Sequence, residues 1–316
     1  MTIPVVKQVL LASPSLQILF ISSSSYAPLF VGIDRLQFVG ADLKGRHKGL
    51  VGMWRLMKDC KAMSSIYAVA DLHSVLRTWC LGLFFRLAGT QVACISKGRF
   101  QKWQLTRRWN KIKKPLISTF ERYQRVFQEL NIPVLLKTAN NLSTIENKNN
   151  VRIGIAPFAK HQGKMLPLST MKQTAQLIQQ QLDCTIFLFG APGYEAGVLN
   201  EWASEIPQVI NCAGVGSFQE ELDTLSTLDL FISMDSANMH LASLYSVPVI
   251  SIWGATHPFA GFLGWGQSIN QTIKTDLPCQ PCSVFGNKTC YRGDWACLNA
   301  IQPQQILERV RAYLCV

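Results

Sequence analysis

The segment from Ile232 to Pro258, ISMDSANMHLASLYSVPVISIWGATHP, constrains the fold more than any other stretch. An apolar run ends at Phe231-Ile232-Ser233. Asp235-Ser236-Ala237-Asn238 follow, residues that turn a chain and cap a helix. Met239, Leu241, Ala242 and Leu244 can then face a core from one short helix. Val247 to Ile252 reads as a buried strand, ended by Gly254. A helix that starts directly after a strand offers free N–H groups and the positive end of its dipole, which suits a phosphate. Such a turn lies at the carboxyl end of parallel strands, where open α/β sheets bind ligands.

The same alternation runs through the chain. The pattern predicts a helix from about Pro4 to Ala12 and strands at Gln17–Ser22 and Leu36–Val39. It then predicts a helix over Gly49–Cys60, a strand at Tyr67–Ala70 ending at Asp71, a helix over Ser74–Leu87, a strand at Gln91–Ile95 and an amphipathic helix over Ser118–Leu130. Asn140 to Asn150 is polar, Asn-rich and without periodicity, and reads as an interdomain linker. Beyond it, strands are expected at Arg152–Ala156, Thr185–Phe189, Val209–Ile210 and Leu230–Ser233. Helices are expected over Pro167–Leu182 with Ser169 as cap, Glu195–Ser204, Ser217–Ser226 with Ser217 as cap, and Pro303–Tyr313. Strands alternating with helices mean parallel sheets built from βαβ units. The expectation is an α/β chain of two Rossmann-like domains with a ligand cleft between them: residues 1–139, a linker at 140–150, and residues 151–316.

Size and charge agree with two domains and point to anionic partners. The chain has 316 residues, 48% hydrophobic and 16% charged, enough for two cores and against disorder. The formal charge of +12 favours nucleic acid, an anionic lipid surface or phosphorylated substrates. Lys97 to Lys114 carries eight Lys/Arg and no acid, with Phe100, Trp103 and Trp109 interleaved. That stretch reads as a solvated face, as a contact with an anionic membrane surface, or as a nucleic-acid site; the expectation carried forward is a membrane surface and no nucleic acid. No apolar run reaches the roughly 18 residues that span a bilayer. The first twenty residues hold only Lys7 as a basic residue, inside the apolar run, so a helix and a strand explain them better than a signal peptide, and a cytoplasmic location is expected.

Three strand ends in the second half carry chemistry. Ile155 to Pro167 (IAPFAKHQGKMLP) places Lys164 on a loop, where it can meet a phosphate as a point charge. Met234 to Leu244 (MDSANMHLASL) sets small residues where a ligand can approach the backbone. Trp253 to Pro258 (WGATHP) is the third. Each alone is as readily a structural turn, and His240 as readily a core histidine. Their order matters more.

Together they resemble glycosyltransferase family 9, the lipopolysaccharide heptosyltransferases. ADLHSVLRT, from Ala70 to Thr78, and the cysteine-bearing CQPCSVFGNKTCYRGDWACLNAI, from Cys279 to Ile301, look like further family segments. The resemblance implies the GT-B fold, a nucleotide-sugar donor in the C-terminal domain and an acceptor in the N-terminal one. It implies transfer of a heptose or similar sugar from ADP-heptose to a lipid-linked saccharide core, with inversion and without a cofactor or metal. The place would be the cytoplasmic face of a Gram-negative inner membrane. Lys164 would neutralise the donor diphosphate, and the N–H groups of Ser236, Ala237 and Asn238 would cradle it in a turn shaped by Asp235. Glu195, beside the Gly190 turn, would reach the ribose, with Thr256 on the nucleotide side. The chemistry demands such groups, because negative charge develops on the departing nucleoside diphosphate.

The chain departs from the family pattern in places. Ala237 stands where the family has Gly, Leu166 where it has Trp, and Ala255 where it has Pro. Family members open with a strand and a Gly-Asp turn whose Asp is the expected base, whereas MTIPVVKQVL matches the helix just after that turn. A truncated gene model or start, or an inactive protein that binds without turnover, is the expectation; the first strand's neighbours would be left unpaired. Asp71 and His73 are substitute acceptor-side or base candidates. A sugar epimerase of the same architecture is a further alternative. Cys279, Cys282, Cys290 and Cys297 fit C-x2-C-x7-C-x6-C, open to zinc, to packed thiols or a loop disulfide, or to acceptor contact. The other six, Cys60, Cys80, Cys94, Cys184, Cys212 and Cys315, read as reduced core thiols.

Overall fold

The computed structural model describes residues 1–137 and 150–314. The expected linker, Asn150 apart, and Cys315 lie outside the described residues. The chain divides into two compact units, one of residues 1–97 and 119–137, the other of residues 98–118 and 138–316. The basic stretch after Lys97 therefore folds with the second unit.

The first unit runs α1 (Thr2–Ala12), β1 (Ile18–Ser22), β2 (Leu36–Gly40), α2 (Gly49–Met63), β3 (Ala68–Asp71), α3 (Leu76–Leu87) and β4 (Gln91–Cys94). The helix α4 (Arg99–Thr106) follows in the excursion to the second unit, and α5 (Thr119–Glu129) returns. Arg35 fastens α1 to the sheet, donating to the carbonyls of Leu10 at 2.7 Å and Ser13 at 2.9 Å, where a helix C-terminus favours a cation. β1 pairs in parallel with β2, and β3 with β4, and among the described residues no ladder joins the two pairs. One helical layer nevertheless covers both. Leu19 and Ile21 of β1, Val39 of β2, Val69 of β3 and Val92 of β4 share a cluster with Met53, Leu56, Leu81 and Phe85 of α2 and α3. Every residue of β1 is only half-buried.

The second unit runs β5 (Val151–Ala156), α6 (Leu168–Gln181), β6 (Cys184–Leu188), α7 (Tyr194–Glu205), β7 (Val209–Asn211), α8 (Phe218–Ser226), β8 (Leu230–Met234), α9 (Ala237–Leu244), β9 (Val249–Trp253), β10 (Thr272–Lys274), α10 (Ala296–Asn299) and α11 (Pro303–Leu314). Six parallel strands stand in the order β10-β9-β8-β5-β6-β7. β8 and β9 are buried at every position, as near-continuous apolar strands between two helical layers require. The sequence reading did not include β10 or α10. Ser217 caps α8 as expected, in a reciprocal box with Glu220. Ser169 does not cap α6. Pro167 takes that position, with φ −50° and ψ 130°, and Ser169 falls inside the first turn. A proline there already fixes the entry angle and has no N–H to satisfy.

Candidate functional site

Chain order and spatial order diverge at one place in the second unit. From β5 the chain builds outward through β6 and β7, then crosses back to lay β8 on the other side of β5. Loops leaving β5 and β8 must then turn in opposite directions, which opens a crevice at their carboxyl ends, the topological switch point of an open α/β sheet. The loop after β5 carries Lys164, and the turn after β8 carries Asp235 and the start of α9. The turn after β9 carries Thr256, and the one after β6 carries Gly190. Four strand ends of the sequence reading are thus consecutive along one edge: β9, β8, β5 and β6.

Across that crevice Lys164 Nζ lies 2.8 Å from Asp235 Oδ2. The contact is an ion pair by distance, but its angles are not those of a hydrogen bond, so the buried Oδ2 keeps unused accepting capacity. Asp235 is held from behind by its own N–H, which donates to Ile252 O of β9. Ser236 begins α9 with extended backbone and no side-chain cap bond. The N–H groups of the first helical turn have no intrahelical acceptor and face the same edge. Ala237 at their tip is exposed, and Asn238 is half-buried. An open helix N-terminus suits an anion, and Lys164, its charge shared with Asp235, lies beside this one.

The late cysteine segment shapes this lysine, which the sequence reading missed. Gly286 has φ +73°, and a Cβ there would meet Lys164 Cγ at 2.5 Å, so the lysine stem lies flat on a position only glycine can fill. Gly163 O accepts from Ala255 N at 2.7 Å, which ties the β5 loop to the β9 turn. The buried amide of Gln280 donates to Trp253 O and Gly254 O at 3.1 and 2.6 Å. Lys111 Nζ donates to Cys279 O and Pro281 O, both at 2.6 Å, and burial lowers its pKa. Gly286 and Asn287 are turn-forming residue types, but only the fold sets Gly286 against Lys164.

Two polar atoms beside the crevice are buried without a partner among the described residues. They are Thr256 Oγ1, on a fully buried side chain, and His240 Nδ1. Burial pushes the His240 imidazole down to about 3, so it is neutral at ordinary pH. His257 is pushed down to about 4, again chiefly by burial, and its Nδ1 accepts from Phe259 N–H.

Other candidates are engaged differently. Glu195 Oε2 accepts from Ala191 N at 2.7 Å and lies against Gly190, holding the β6 loop. In the first unit, Asp71 Oδ1 accepts from the N–H groups of His73 and Ser74, and its Oδ2 from Thr78 Oγ1 at 2.8 Å. His73 is exposed. Cys279, Cys282, Cys290 and Cys297 are free thiols, and burial pushes Cys297 up to about 12. Among the described residues no three His, Cys, Asp or Glu side chains are placed to hold a metal ion, so the zinc option finds no ligand set there.

The fold matches solved structures along nearly its whole length. It superposes on a glycosyl transferase of family 9 from Veillonella parvula with TM-score 0.73 and 14% identity, over 99% of this chain and 93% of that one. It superposes on the E. coli ADP-heptose lipopolysaccharide heptosyltransferase II with TM-score 0.64 and 17% identity, over the same shares. A second E. coli heptosyltransferase, solved with ADP, matches with TM-score 0.67 and 13% identity over 99% of this chain and 95% of that one. These likenesses show the fold, which is GT-B. The family model for glycosyltransferase family 9 (heptosyltransferase) matches residues 118–291, more than half of the chain. The chain belongs to glycosyltransferase family 9. A curated relative, lipooligosaccharide heptosyltransferase 2 of Campylobacter jejuni serotype O:2, is 28% identical over 193 residues, 60% of this chain and 58% of that protein. The match thus spans less than two thirds of that relative's length. Among the described residues no helix is long and apolar enough to cross a membrane.

Proposed function

We propose that the chain is an inverting glycosyltransferase that moves a heptose, or a similar sugar, from ADP-heptose to a lipid-linked saccharide core at the cytoplasmic face of an anionic membrane. Residues 151–316 hold the donor and residues 1–139 the acceptor. Lys164 and the N–H groups of Ser236, Ala237 and Asn238 receive the diphosphate. Asp235 aims the lysine and Thr256 Oγ1 finds its partner on the nucleotide. As the sugar–phosphate bond breaks, charge gathers on the leaving diphosphate, and fixed positive groups in a half-buried crevice stabilise that charge without reorganising. No metal is required of such a site. The observation that carries the reading is the Lys164–Asp235 pair beside the open start of α9, at the switch point of the sheet.

A second reading has one observation in its favour. The Asp71 carboxylate accepts two N–H bonds within its own turn and one from Thr78 of α3, so it is poorly free to take a proton from an acceptor hydroxyl. A binder of nucleotide-sugars without turnover fits that. Incubation with ADP-heptose and a phosphorylated lipid-linked core separates the two. ADP release supports the transferase; saturable donor binding with no release selects the binder; no binding at all sinks both.

A further inference from the structure

The helix α3 carries apolar residues on two opposite faces. Leu81 and Phe85 are buried against the sheet. Leu76, Trp79, Leu83 and Leu87 are 75, 51, 51 and 77% exposed. At 3.6 residues per turn these four fall within an arc of about 80°. Exposed Arg77 and Arg86 flank the stripe on either side, Arg86 also donating to Val92 O at 3.3 Å. The packed neighbour α2 extends it with exposed Leu50, Val51 and Trp54, and Lys58 Nζ sits 3.9 Å over the Trp54 ring. Lys61 of α2 donates to Ala88 O just past α3 at 3.2 Å, tying the C-terminal ends of the two helices together. The two helices contain one acid, Asp59, already paired with Arg46 and His47.

Single exposed leucines are ordinary, but a contiguous apolar face on two neighbouring helices is a contact surface. We infer that the outer face of α2 and α3 docks on an anionic bilayer, the helices lying in the interface plane with leucine and tryptophan in the acyl boundary and Lys/Arg among the headgroups. The charge selects that partner. A rim of cations with no free acid complements anionic lipid, whereas a second copy would set two such rims against each other on a chain of formal charge +12. Five of the seven exposed residues are leucine or valine, with no π-face for a base to stack on, which disfavours single-stranded nucleic acid. The basic stretch from Lys97 to Lys114 is a weaker candidate. Lys111 and Lys113 donate to backbone carbonyls near Cys279, Lys102 lies over Phe262, and Arg107 bonds Asn110 O. The inference rests on the proposed lipid-linked acceptor only for its purpose, not for its geometry.

Co-sedimentation of the full chain with vesicles tests it. Vesicles of phosphatidylglycerol and phosphatidylethanolamine should retain the chain, and vesicles of phosphatidylcholine should not. Leu83→Glu with Leu87→Glu should weaken partitioning by about tenfold or more, since it removes two buried apolar contacts and adds repulsion. Arg77→Gln should weaken it about fivefold. Arg107→Gln with Arg108→Gln should leave it unchanged. Quenching of wild-type tryptophan emission by bromine-labelled lipid, diminished in Trp79→Leu, gives the same answer should the double glutamate fail to fold. Equal retention by the leucine variants, retention on phosphatidylcholine, or a wild-type dimer that those variants break would each overturn the proposal. ADP titration of the same variants is expected to match wild type, so failure here is distinct from failure of the donor site.

Discussion

The two units solve the same packing problem with different success. In the second, six strands form one ladder, and β8 and β9 are buried at every position. In the first, two strand pairs lie under one helical layer with no ladder between them among the described residues, and β1 is half-buried throughout. Sheet composition does not explain the contrast. Ile18-Leu19-Phe20-Ile21 is as apolar as Leu230-Phe231-Ile232. The difference is hydrogen-bonding partners, because an unpaired edge leaves donors and acceptors to water and lets solvent reach the side chains beside them. The unit with the single six-stranded sheet is also the one that lines up the candidate residues at its strand ends, since a crevice at a switch point needs neighbouring strands locked in register.

Matched truncations can break this comparison most sharply. Phe231→Ala in β8 removes a fully buried ring that packs against Phe189 at 5.3 Å, and should cost about 3–5 kcal/mol in denaturant unfolding. Phe20→Ala in β1 removes a half-buried ring from a cluster with Phe30 and Phe38, and should cost about half of that or less. Native-state hydrogen exchange should agree, with β1 and β3 amides opening well below the free energy that protects β8 and β9. Equal costs and equal protection would mean that the divided sheet is not a weakness.

Acid sharpens the comparison more gently. His257 belongs to the second unit and is held neutral by burial, with its pKa lowered from 6.5 to about 4. On unfolding it takes a proton below 6.5, so the unfolded state binds more protons between roughly 6.5 and 4. Stability of the second unit is therefore full above that window and is lost as pH falls through it. His240, lowered to about 3, acts in the same direction. The denaturation midpoint of that unit should drop across the window, and His257→Asn should shrink the drop. A midpoint independent of pH there would contradict the burial of both rings.

Much of this was legible in residues. The run from Phe231 to Pro258 folds as strand, turn, helix and strand because each of its apolar and turn residues points to the same local answer. The three motif loops were readable, but their adjacency was not: strand order is a long-range choice that periodicity does not encode. Nor was the Lys164–Gly286 contact, which joins positions far apart in sequence. The α3 stripe was hidden for another reason. A helix apolar on all sides reads as buried, and only the packed structure separates Leu81 and Phe85 inside from Leu83 and Leu87 outside. Ser169 failed as a cap because the proline two residues earlier had already set the helix start.

The central claim is that the crevice between β5 and β8 receives a nucleoside diphosphate. Calorimetric titration of ADP into the full chain and into Lys164→Met tests it most directly, with thermal melting of both as a check on folding. Saturable binding by the wild type that weakens at least about tenfold in a folded variant is the predicted result, as expected for loss of a charge-assisted contact. Equal affinity in the two proteins, or no binding by the wild type, would contradict it.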